Sequence, residues 1–281
     1  MMEGHIVSPA FDAEKDEARQ IQYSLLPAED LKGECFDIAC RFSPFAEVGG
    51  DFADFFNLPN GQAGLYVGDV VGKGLPAAMY AALVMGMLRG INKTGEDTAS
   101  VLALLNKRLL VRPVSGRYAA TLYALYDPET LVLTFSNAGL PYPLHASQAG
   151  CSPLGLGGLP SGLFPGSSYD LHTVQLAPGD AVLFATDGLH ELRNRQGADF
   201  SWERLAEVWQ RCQKRPASES LEILFEGAME FSEGGRSHDD ITAVVLSVPL
   251  TCRMRERTGR NDVGVRCDVV DIRSNGGIYL L

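Results

Sequence analysis

Positive charge is scarce in this chain: 24 lysines and arginines stand against 35 aspartates and glutamates, a formal net charge of −11. A phosphate backbone is gripped through a basic surface, so nucleic acid is excluded as the main partner. Long apolar runs are missing too. The longest, Ala77 to Leu88, is about a dozen residues, short of the ~20 a helix needs to cross a bilayer. The opening MMEGHIVSPAFDAEKDEARQ has neither the basic start nor the apolar stretch of a secretory signal. The chain therefore reads as cytoplasmic, with no membrane partner. The six cysteines, at 35, 40, 151, 212, 252 and 267, include no CxxC pair. That spacing excludes a zinc knuckle and a thioredoxin-like site, and they read as separate reduced thiols. No internal repeat is present, which excludes a solenoid or propeller.

What is there is an ordinary globular composition, 46% hydrophobic and 21% charged over 281 residues, enough for a substantial core. Residues 1–12 read as a flexible lead. From Asp12 to Leu26 charges come early and apolar residues fall at 18, 21, 25 and 26, the spacing of an amphipathic helix that Pro27 ends. Cys35 to Ser43 reads as a strand, and AGLYVGDVV after the Asn60-Gly61 turn as another. AAMYAALVMGMLRGI suits a buried helix. TASVLALLNKRLLV suits a second, with Thr98 or Ser100 as its cap. ATLYALY, DPET and LVLTFSN form a hairpin. Residues 147–168 are rich in glycine, proline and serine and read as a loop, with room for short strands. DLHTVQL, Pro178-Gly179-Asp180 and AVLFATDG read as strand, turn and strand. Helices follow near 201–213 and 218–232, and DITAVVLSV is a last strand. Helices thus come in pairs rather than one per strand. This disfavours a βαβ arrangement and favours an α+β fold of layered antiparallel sheets. The domain is expected to span 27–249. After Pro249 the pattern breaks into an arginine-rich tail, 250–281, read as disordered.

Four places set aspartate beside glycine or at a strand end: Gly50-Asp51, Gly68-Asp69-Val70, Asp187-Gly188 and Asp239-Asp240. Singly, each is an ordinary turn or cap. Together they say more, because Asp69 and Asp187 close the very apolar strands LYVGD and VLFATD. A carboxylate at the edge of a core needs a cation or donors, and hard divalent cations prefer such oxygens.

In family order, ARQIQYSLLP, EVGGDFADFF, GLYVGDVVGKGLPAAMYAA, NAGLPYP, FATDGLHELRN and SHDDITAVVL resemble the metal-dependent PPM (type 2C-like) protein phosphatases, in their SpoIIE-like branch of bacterial sigma-factor regulators. The match runs from about Ala18 to Val248. The resemblance implies a four-layer α/β/β/α sandwich with a cleft holding two divalent cations, Mn²⁺ or Mg²⁺. It implies Asp69 as the carboxylate bridging both, the carbonyl of Val70 as a further ligand, and Asp187 and Asp239 completing the first site. Asp51 falls on the side of the second. Asp69, Asp187 and Asp239 then act catalytically through metal-bound water that attacks phosphorus in line. Gly72, Lys73, Gly74, Gly188 and Asp240 are candidates for the surrounding shell or the phosphate side, with a solvent-exposed loop as the plainer place for Lys73. No histidine nucleophile is needed, although His190 and His238 lie near the motifs. Leu140 stands where the branch often has histidine, and FAEVGGD lacks the phosphate-clamping arginine of eukaryotic relatives.

The implied activity is serine/threonine phosphatase action on a phosphoprotein. By analogy the substrate is a phosphorylated STAS-type anti-anti-sigma factor in a partner-switching pathway. The leading helix is expected to serve regulation by a separate partner or homodimer formation, with constitutive activity as the third alternative. The reading from another class is a catalytically weak scaffold that binds a sigma-regulatory partner.

Overall fold

A computed structural model describes residues 9–91, 96–233 and 237–252. Eleven strands are formed among them: β1 (Leu31–Gly33), β2 (Phe36–Ser43), β3 (Phe52–Asn57), β4 (Ala63–Val70), β5 (Ala119–Asp127), β6 (Val132–Ala138), β7 (Leu144–Ser147), β8 (Gly150–Pro153), β9 (His172–Gln175), β10 (Ala181–Ala185) and β11 (Ile241–Ser247). They build two antiparallel sheets, in the orders β1-β2-β11-β10-β7-β8 and β3-β4-β5-β6-β9. Five helices accompany them: α1 (Pro9–Leu25), α2 (Leu75–Ile91), α3 (Thr98–Leu109), α4 (Ser201–Gln210) and α5 (Ala217–Ser232).

The layers follow from where apolar side chains can hide. Between the sheets, Ile38, Val67, Leu122, Phe184, Val244 and Leu246 form one core. α2 is rich in alanine, leucine and methionine, which lose little on entering a helix. Its Tyr80, Val84, Leu88 and Ile91 recur at helical spacing and join a second core against the outer face of the β3–β9 sheet. α4 and α5 do the same on the other sheet, around Trp209, Leu221 and Leu224. The result is the expected helix–sheet–sheet–helix sandwich, of α+β class.

Several details depart from the sequence reading. α1 starts at Pro9, ahead of the predicted Asp12. The cap of α3 is Asp97, whose Oδ1 accepts from the backbone of Ser100 at 2.9 Å; Thr98 is fully buried, its hydroxyl hydrogen-bonded to Ser136. The strands either side of Pro178-Gly179 are not partners. β9 alternates half-buried and exposed at a sheet edge, whereas β10 is almost wholly buried at the centre of the other sheet. The glycine-rich stretch contains one short strand, β8, as its reading allowed.

The cysteine reading also needs correcting. Cys35 and Cys252 form a disulfide across 217 residues of sequence, their Cα atoms 4.8 Å apart. β2 and β11 are antiparallel neighbours, pairing Asp37 with Ser247, so the residue before β2 and the chain leaving β11 emerge at the same end. Cys252 is buried, and the packed chain therefore runs past the predicted limit at 249. The rest of the expected tail, 253–281 with Cys267, lies outside the described residues, as does most of the flexible lead, residues 1–8. Among the described residues no helix is long and apolar enough to cross a membrane.

Candidate active site

Antiparallel pairing explains how distant aspartates meet. β3 and β4 pair Phe52 with Gly68, so Asp51 just before one strand lies beside Asp69 near the end of the other. In the facing sheet, β10 and β11 pair Ala185 with Ala243, which sets Asp187 beside Asp239 and Asp240. The two pairs end at the same edge of the sandwich. A hydrogen bond from the Thr186 hydroxyl to Asp51 Oδ2, 2.7 Å long, joins one sheet to the other there.

The carboxylates feel one another. Asp51 is only 2% exposed; burial, then the charges of Asp69 and Asp240, hold its pKa well above the usual range against hydrogen bonds from Thr186 and Thr242. Asp69 is pushed up to about 7, first by burial and then by Asp187, Asp239 and Asp240, while a hydrogen bond with Asp51 works in the opposite direction. Five acidic groups from four segments thus share one neighbourhood.

Two devices shape the loop that carries Asp51. Asp240 accepts the Phe45 amide on Oδ1 at 2.8 Å and the Gly50 amide on Oδ2 at 2.7 Å, so both its oxygens hold backbone. From the other side, the α1 residue Gln22 donates to the Gly49 carbonyl at 2.7 Å and accepts the Gly49 amide at 3.0 Å. Side chains are excluded around Asp240: a β-carbon at Gly49 would strike its carboxylate, and one at Gly188 its carbonyl oxygen. The Val70 carbonyl faces Gly50, where an added β-carbon would lie 2.8 Å from it.

Gly72 and Gly74 adopt φ of +97° and +69°, which glycine alone reaches without strain. Their turn carries Lys73 at the border of the site, its side chain still largely in solvent as expected of a loop lysine. Its ammonium lies 2.7 Å from Asp239 Oδ2, also donates to the His238 carbonyl, and stands 5.2 Å from the centre of the Phe45 ring. Sequence reasoning missed Gln22 as part of the site, and missed Arg117, which donates to the Val71 carbonyl. Gln22 lies within ARQIQYSLLP, one of the segments that carry the family resemblance, and that signal could have marked it; no local spacing marks Arg117. His190 is stacked on Trp202 with ring centres 4.4 Å apart, and burial lowers its pKa. Leu140 is buried, its backbone tied to the Asn137 side chain.

Among the described residues, no group of three or more histidine, cysteine, aspartate or glutamate side chains is posed to hold a metal ion. Asp239 pairs with Lys73, Asp240 with backbone amides and Asp51 with Thr186. The chemistry of the donors nevertheless suits a hard cation. They are all oxygens, and the burial and mutual repulsion that raise Asp51 and Asp69 are what a divalent ion relieves.

The sequence model of the family described as Stage II sporulation protein E (SpoIIE) matches residues 59–249. The chain belongs to the SpoIIE family. It is a SpoIIE-like phosphatase of the PPM type. Relatives of this SpoIIE-family chain include the phosphoserine phosphatase RsbU of Bacillus subtilis, 24% identical over 231 residues, covering 82% of this chain and 68% of that protein. The protein IcfG of Synechocystis is 23% identical over 261 residues, 83% of this chain but 41% of its own length. Among solved structures, the SiaA-PP2C domain of Pseudomonas aeruginosa superposes with a TM-score of 0.74 at 21% identity, over 85% of this chain and 97% of that one.

Proposed function

We propose that this SpoIIE-family chain is a divalent-cation-dependent phosphatase of phosphoserine or phosphothreonine in a protein substrate. The supporting observation is the convergence of Asp51, Asp69, Asp187 and Asp239 at one end of the sandwich, with Asp51 and Asp69 buried in each other's field. Those four carboxylates and the Val70 carbonyl would hold the ions, Mn²⁺ or Mg²⁺ and two in number. When bound, such cations make water more acidic and neutralise charge on a phosphoryl group. The chain's own part is placement. Asp240 and Gln22 fix the Asp51 loop, Gly188 lets the Asp240 backbone pass close over the Asp187 turn, and Lys73 and Arg117 carry positive charge on the flank where a phosphate would arrive.

The proposed substrate is a phosphorylated STAS-type anti-anti-sigma protein, supported by likeness to RsbU. The catalytic domain begins at residue 27, with α1 as a regulatory or self-associating element. An apolar cavity of about 230 Å³ between α1 and α2 supports that role; Ile21 and Met79 line it, and Asp51 reaches it. The scaffold alternative draws on one observation, the pairing of Asp239 with Lys73. Turnover of para-nitrophenyl phosphate and of a phosphorylated STAS protein, in EDTA and then in Mn²⁺, decides between them. Activity restored by Mn²⁺ and abolished in Asp69→Ala is expected. A well-folded protein inactive with every divalent cation would establish the scaffold reading.

A further inference from the structure

We infer that Lys73 is a resident counter-ion of the acidic site, competing with a divalent cation for Asp239. The inference rests on the cation site proposed above. Its basis is the placement of one ammonium group. Lys73 belongs to the turn after β4, in one sheet, and Asp239 to the segment entering β11, in the other. Their 2.7 Å contact therefore spans the cleft, as a metal shared between the two sides would. The His238 carbonyl and the Phe45 ring also hold the ammonium. Gly72 and Gly74, both at positive φ, set the backbone from which it reaches across.

The pair is made to be exchanged. The side chains of Lys73 and Asp239 are 46% and 41% exposed, and ion pairs so well hydrated are weak. A carboxylate cannot present the same oxygen to an ammonium and to a divalent ion at full strength, and the two cations repel at such range. Loading the Asp239 side thus requires Lys73 to let go. The released ammonium, still tethered by its turn, is left at the rim of the cleft as a cation for an incoming phosphate.

The test is Mn²⁺ binding to the EDTA-stripped full chain, measured by calorimetry for wild type, Lys73→Met, Lys73→Arg and Lys32→Met. Lys32, on β1 and paired with Asp30 and Asp37, controls for the mere loss of one positive charge. Melting curves verify that each variant folds. Lys73→Met should bind Mn²⁺ on the order of 3- to 10-fold more tightly, the size expected for removing one exposed ion pair and its repulsion. Lys73→Arg and Lys32→Met should match wild type. Unchanged or weaker binding by Lys73→Met, with wild type binding normally, overturns the competition and leaves the cation site standing. No Mn²⁺ binding by any of the four proteins overturns the cation site itself.

Discussion

Replacing Asp69 by asparagine should make the metal-free protein more stable at neutral and alkaline pH. Asp69 titrates near 3.8 when unfolded and at about 7 in the fold. A group whose pKa is raised by folding binds its proton more tightly in the folded state, so it adds stability that is complete below about pH 4. That stability fades as pH rises and is gone above about pH 7. A gap of about three pH units corresponds to about 4 kcal/mol. Because the proton is shared with Asp51 and the site can relax, about half of that, ~2 kcal/mol, is the expected effect. In EDTA, wild type should lose about 2 kcal/mol more than Asp69→Asn between pH 3 and pH 8. At pH 8 the variant should be the more stable of the two. Urea unfolding followed by fluorescence of the buried Trp209 measures this. Saturating Mn²⁺ should reverse the order, since binding to the folded state alone stabilises by RT ln(1 + [L]/Kd). Equal pH dependence in the two proteins, or a less stable variant at pH 8, would refute the reasoning.

Three further outcomes are expected. Gln22→Leu strands the Gly49 amide and carbonyl, so Mn²⁺ affinity should fall about tenfold by calorimetry while the melting temperature drops only a few degrees; unaltered affinity would mean that α1 does not position the Asp51 loop. Cys252→Ser should lower the unfolding free energy by about 2–5 kcal/mol in urea titrations without changing turnover, because the disulfide ties strand ends remote from the aspartates. Burial pushes the thiols of Cys40 and Cys212 up to about 12, so alkylation at pH 8, mapped by mass spectrometry, should leave both unmodified until denaturant is added.

The layering was legible because it depends on local pattern. Apolar alternation marks β5 and β6, the run from Ala77 to Ile91 is too long for one strand, and paired helices exclude a βαβ winding. The acidic positions were legible for a similar reason, since a carboxylate closing an apolar strand such as LYVGD is out of place without a partner. Pairings set by the closed fold were not legible. Nothing within a few residues of Cys35 announces Cys252, and the Pro178-Gly179 turn looks the same whether its strands pair or part. Gln22 belongs to the ARQIQYSLLP segment, but its partner Gly49 is brought against it only by the closed fold. Lys73 is exposed, as its loop suggested, but its partner Asp239 was not legible, lying 166 residues away in sequence and in the other sheet.

The most direct measurement is the anomalous scattering of manganese from crystals grown or soaked with Mn²⁺. Two peaks enclosed by Asp51, Asp69, Asp187, Asp239 and the Val70 carbonyl are expected, with Lys73 withdrawn from Asp239. Crystals at saturating Mn²⁺ with no peak among these residues, and the Lys73–Asp239 contact intact, would contradict the account.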